Sequence, residues 1–228
     1  MSKTRLDGLR KPTVCHLALI VAAVATWTSP TIVTAAADLP ASITVRVYQN
    51  VAALPTMLEQ RALAEAGTVL RAARVDVRWR ECTASNASAA CDGPPEPSEL
   101  LLVVRRGGVC QDTPLTLGNA IVGRGPGGVL ANVYFGCVEW LARLTRTDIG
   151  VLLGRVAAHE LGHLMMRSSA HATHGLMRPH WTPDEVRRNS AADWVFTAGD
   201  VAAMRESWSE HSEPADCCVG YRLPDGID

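Results

Sequence analysis

Residues 157–164 read Ala-Ala-His-Glu-Leu-Gly-His-Leu, an H-E-x-x-H motif at His159, Glu160 and His163. On a helix, positions i and i+4 share one face, so the two imidazoles can grip a single metal ion. The carboxylate beside the first histidine can take a proton from a water that the metal acidifies. Three protein ligands and one open position make a catalytic zinc site. Its chemistry is attack on a polarised carbonyl, with Glu160 as general base and then as proton donor to a leaving amine. Two surface histidines on any helix would give the same five letters. Here the motif ends an apolar helical run that begins at Ile149, and five of the six histidines beyond residue 37 fall between 159 and 180.

The third ligand must come from the segment that follows. His171 and His174 are both close enough in sequence to fold back, and Glu185 is an alternative on a following helix. His180 reads as a surface or supporting residue. Met177 reads as a buried side chain filling a gap, since methionine adapts to irregular spaces. Trp181 and Trp194 read as core anchors, and Gly162 as a point of close packing inside the helix. An acyl-transfer site also needs a donor for the developing oxyanion, and Arg178 is the candidate in this stretch.

These residues resemble the metzincin clan of zinc peptidases. That clan shows H-E-x-x-H-x-x-G-x-x-H, followed by a turn that carries a methionine beneath the metal. His159, Glu160 and His163 match. The clan's glycine position falls on Met166 and its third-histidine position on Ser169, and both depart from the pattern. A histidine arrives two residues late, at His171, and Gly175-Leu176-Met177 looks like a shortened methionine turn. The stretch from His171 to Trp181, H-A-T-H-G-L-M-R-P-H-W, is similar to that of small exported bacterial proteins of metzincin-like type. The resemblance implies an α+β, metzincin-like (zincin) fold: a mixed twisted sheet of about five strands, an active-site helix and a C-terminal helix. It implies zinc as cofactor, held by His159, His163 and His171 with His174 as second choice. Glu160 would be catalytic and Met177 would form the structural turn. It also implies that an edge strand beside the active-site helix pairs with an extended peptide or protein substrate, and residues 129–135 hold that position in the chain. A non-catalytic metal-binding domain that keeps the fold is the alternative.

The elements around the motif follow from periodicity. Residues 42–49 alternate with Ile43, Val45 and Val47 on one face, which predicts a strand. Pro55 opens a helix that runs to about Ala73, and Val75, Val77 and Trp79 alternate again. That β-α-β order predicts a parallel pair. Residues 83–98 are polar and proline-rich and read as a surface loop. Residues 99–105 form a nearly continuous apolar run, the mark of a buried central strand. Residues 117–123 and 129–135 give two more strands, joined through the turn at 125–128. Asp148 is a good N-cap for the motif helix, which should end near Met166 or Arg167. Thr182 to Glu185 looks like another helix start, and residues 197–208 a last helix.

The chain has 228 residues, 47% hydrophobic and 20% charged, with a formal net charge of −1. One domain with a real core is expected, with no basic footprint for nucleic acid. Lys3, Arg5, Arg10 and Lys11, the apolar run from Val14 to Thr26 and Ala35-Ala36-Ala37 read as a signal peptide over residues 1–37, leaving a domain over 38–228. The protein is then secreted or periplasmic, with a membrane anchor only if that segment stays uncleaved, and is expected to be a monomer. Cys82, Cys91, Cys110, Cys137, Cys217 and Cys218 make an even count suited to disulfides in an exported chain. Cys82–Cys91 is the expected local pair. Cys217 and Cys218 are expected to pin the tail to Cys110 and Cys137.

Overall fold

Residues 42–50, 54–82, 89–96, 98–107, 110, 115–123 and 130–209 are described by a computed structural model. The expected signal peptide and the turn at 125–128 lie outside the described residues, as do Cys217 and Cys218.

Strand β1 (Ile43–Asn50) buries Ile43, Val45 and Val47 on one face, as its alternation predicts. Helix α1 (Thr56–Ala72) leads to β2 (Val77–Glu81), which pairs with β1 in parallel. A one-turn helix α2 (Ala89–Asp92) interrupts the expected surface loop before β3 (Glu99–Arg105). The edge strand β4 (Gly118–Ile121) and strand β5 (Leu130–Tyr134) complete the sheet. The strand order is β2-β1-β3-β5-β4, all parallel except β4, which runs antiparallel to β5. The fold is therefore α+β with a mixed five-stranded sheet.

This order corrects the expectation that residues 129–135 form the edge strand. β5 is flanked on both sides, and β4 is the edge beside the motif helix. Asn119 helps hold that short edge in place, its Oδ1 accepting from Tyr134 Oη at 2.7 Å and from Asn132 Nδ2 at 3.3 Å. β3 alternates in burial rather than being covered on both sides. Leu100, Leu102 and Val104 are buried, while Leu101 and Val103 are half-buried.

Helix α3 (Phe135–Thr145) follows β5 without a linker, where no helix is expected from sequence. Its N-cap, Tyr134, makes no side-chain cap, so the usual start signal is missing. Burial of Val138, Leu141 and Ala142 holds it instead. Helix α4 (Ile149–Met166) carries the motif. Asp148 caps it as expected, accepting from the Val151 amide at 2.9 Å. Every α4 residue from Leu152 to Met165 is buried, against α1, β5 and β4 among others, as an apolar central helix requires. Short helix α5 (Pro183–Arg188), a 3-10 turn (Ala191–Trp194) and α6 (Ala198–Ser209) complete the described chain. No helix among the described residues is long and apolar enough to cross a membrane.

Cys82 and Cys91 are bonded as expected, with Cα atoms 5.7 Å apart. Cys110 bonds Cys137, which corrects the expected pairing of both with the C-terminal tail. The topology explains it. The chain leaving β3 passes over the start of α3, so close that a Cβ on Gly136 would lie 2.8 Å from the Arg106 carbonyl oxygen.

Candidate metal centre

α4 presents His159, Glu160 and His163 at the wall of a cavity of about 340 Å³. All three are buried, with exposures of 8%, 5% and 5%. His159 Nδ1 lies 2.9 Å from the Leu176 carbonyl, and His163 Nδ1 lies 2.8 Å from the Ser168 carbonyl. A carbonyl can only accept, so both Nδ1 atoms carry the proton and both Nε2 atoms present lone pairs. Those Nε2 atoms face each other at 3.1 Å, and His171 Nε2 stands 3.2 Å from that of His163. Two neutral acceptors cannot bond each other at this distance. A cation among them would satisfy all three, and the ligand atoms of His159, His163 and His171 lie within 4.8 Å of one another. The donor set therefore fits zinc, which takes imidazole nitrogen readily.

Protonation states agree. Burial pushes His159 down to about 3, and also lowers His163 and His171. All three imidazoles are neutral near pH 7, the form that binds metal.

His174 and Glu185 do not join the group. His174 is exposed, with its Nδ1 beside Thr173 Oγ1 at 3.2 Å. Glu185 is committed to a capping box at the start of α5, accepting from the amide and hydroxyl of Thr182 at 2.8 Å each. Arg178 is buried, and its Nη1 donates to Asp193 of the 3-10 turn at 3.0 Å. It also lines the cavity, and its Nη2 has no hydrogen-bond partner among the described residues. His180 is exposed on the cavity wall.

Met177 is fully buried in the turn, which Gly175 enters with φ 76°. Gly162 sits between the two motif histidines. A Cβ there would lie 2.6 Å from the Phe196 ring and 2.9 Å from Met177 Sδ, so the glycine lets this layer pack directly beneath the metal-site turn of the helix. Trp181 meets the His159 ring edge-on at 5.7 Å and donates to the same Leu176 carbonyl at 3.3 Å. Trp194 packs on Trp181 at 5.0 Å and lies under the Arg155 guanidinium at 4.3 Å. Trp194 is buried, as expected of a core anchor, whereas Trp181 is half-buried and lines the cavity. The supporting carbonyls of Leu176 and Ser168 have no counterpart in the sequence reading, because a backbone acceptor carries no residue letter.

Glu160 makes no hydrogen bond to another described residue. Burial raises its carboxyl from 4.5 to about 8. In metal-free protein the folded state therefore holds a proton that the unfolded chain has lost between pH 4.5 and 8. Stability conferred by the neutral carboxyl is lost as pH rises through that window. Metal-free wild type should lose stability relative to Glu160→Gln on going from pH 5 to 9, by an amount on the order of a few kcal/mol. Parallel thermal melts of the two proteins across that range check this. His159 works oppositely in both proteins, costing stability as pH falls from 6.5 toward 3.

No protein-family model matches the chain, and neither does any curated protein. Solved structures to which the chain is similar include the following two. A zinc-dependent peptidase from Methanocorpusculum labreanum is 16% identical, with a TM-score of 0.47 over 70% of this chain and 99% of that one. Metalloproteinase-II from Bacteroides fragilis is 17% identical, with a TM-score of 0.46 over 74% of this chain and 53% of that one.

Proposed function

We propose that the chain is an exported, zinc-dependent endopeptidase of metzincin-like type. The observation that carries this reading is the convergence of three Nε2 lone pairs beside a buried, unpaired carboxylate in a cavity bordered by a sheet edge. His159, His163 and His171 would hold the zinc. Bound zinc supplies a Lewis acid for the scissile carbonyl and lowers the pKa of water, and its charge opposes the upward pull of burial on Glu160. Glu160 takes the proton from the attacking water and passes it to the leaving nitrogen. Buried in a cavity, it does both with little competition from bulk solvent. β4 offers its free edge to an extended peptide, and strand addition supplies backbone hydrogen bonds without demanding a side-chain sequence. The substrate class is therefore peptide or protein, with the chain acting as a monomer.

Export rests on the basic and apolar segment over residues 1–37 and fits the two disulfides among the described residues. The zinc-loaded protein should cleave an unfolded protein such as reduced casein. Chelation should abolish cleavage and one equivalent of zinc should restore it. A zinc-loaded, folded protein with no hydrolysis of any unfolded chain would favour a non-catalytic metal-binding domain.

A further inference from the structure

Glu160 needs a fixed place, yet no described residue donates a hydrogen bond to its carboxylate. Gly118, the first residue of β4, is what it rests against. A Cβ built on Gly118 would lie 2.7 Å from Glu160 Oε1 and 2.8 Å from Glu160 Cγ. On its other side it would meet the Asn132 carbonyl oxygen at 2.7 Å. The backbone of Gly118 does not have a positive φ, so alanine could adopt its conformation. What excludes a side chain there is the carboxylate on one side and the β5 main chain on the other. The Asn132 carbonyl belongs to a paired inner strand, so a Cβ at 118 must shift β4 at that contact, and on the other side the Glu160 side chain must move from Cγ outward.

We propose that Gly118 is the positioning residue for Glu160, its bare Cα forming the seat on which the carboxylate sits. This rests on Glu160 being the general base. It ties the base to the strand that takes the substrate, since β4 supplies both the seat and the free edge. A side chain at 118 displaces the carboxylate from the proton it must take, while none of the three histidines is among the nearest atoms its Cβ would meet.

The test uses zinc-loaded protein and two readouts. In Gly118→Ala, kcat should fall about 10- to 100-fold while KM and zinc content stay unchanged, because a misplacement near 1 Å costs about that much. The second readout is a thermal-stability cycle with Glu160→Ala, which does not depend on hydrolysis. Gly118→Ala should lower Tm in both backgrounds, because the Asn132 contact persists, but by about 3 °C less when residue 160 is alanine than when Glu160 is present. If Gly118→Ala is insoluble, the double variant should be the more soluble of the two, since only the Asn132 contact then remains. Equal Tm losses in the two backgrounds, or two insoluble proteins, would overturn the proposal and assign the glycine to the contact with Asn132. Loss of kcat with additive Tm values would do the same. A wild type without hydrolysis but with a coupled Tm cycle would sink the peptidase reading and leave the seat intact.

Discussion

Glu160→Gln should retain zinc at one equivalent and lose peptide hydrolysis by about 10²- to 10⁴-fold, the range a positioned acid–base group contributes. Glutamine keeps the shape of the side chain, so it still fits against Gly118 and inside the buried site. It cannot accept the water's proton or deliver one to the leaving nitrogen. The defect should appear in kcat, because the substrate's backbone contacts along β4 do not involve residue 160. Zinc content should not change, because the converging nitrogens belong to His159, His163 and His171. Steady-state kinetics paired with metal analysis separates the outcomes. Unchanged hydrolysis would remove Glu160 from the mechanism. Joint loss of zinc and hydrolysis would make it a ligand.

The second large effect is expected at His163. Its Nε2 is the centre of the group, 3.1 Å from that of His159 and 3.2 Å from that of His171. Binding energies of ~10–16 kcal/mol for four-ligand zinc sites put each ligand at roughly 3 kcal/mol, so His163→Ala should weaken zinc about 10²- to 10³-fold. It also strands the Ser168 carbonyl that now accepts from Nδ1, which adds about 1–3 kcal/mol of instability to the metal-free protein. His171→Ala should weaken zinc to a similar degree. His171 is itself exposed, with no anchoring carbonyl to strand, so its metal-free Tm should barely move. His174→Ala should change neither. Competition titration with a chromogenic chelator measures the affinities, and melts of the metal-free variants measure the rest.

The contrast among these histidines shows what the sequence could carry. α4 was legible throughout. Asp148 caps it, apolar residues recur at helical spacing, and the two histidines share a face by arithmetic. β1 was legible because Ile43, Val45 and Val47 alternate. The third histidine was legible only as a choice, because loop length admits both His171 and His174. What separates them is the turn, where the Ala172 amide donates to the Met177 carbonyl at 2.8 Å and sets the path of the loop. α3 was hidden because its start lacks a capping side chain and its end uses Arg146 at φ 58° in place of glycine. Which strand forms the edge is not legible in the sequence, because strand order is a property of the sheet. β4 is four residues, Gly-Asn-Ala-Ile, with no alternation to announce that it runs antiparallel on the outside. The Cys110–Cys137 bond follows from that same topology and not from spacing. Gly118 shows the same limit at the site itself. Its letter marks a turn or a weak strand until the carboxylate 42 positions later is seen resting on it.

Anomalous diffraction at the zinc edge, on crystals of the zinc-loaded protein, tests the centre most directly. The expected result is one peak within about 2.1 Å of the Nε2 atoms of His159, His163 and His171, with the Glu160 carboxylate outside bonding distance and seated against Gly118. A peak coordinated by His174 or Glu185 in place of His171, or no peak at this cavity, would contradict it.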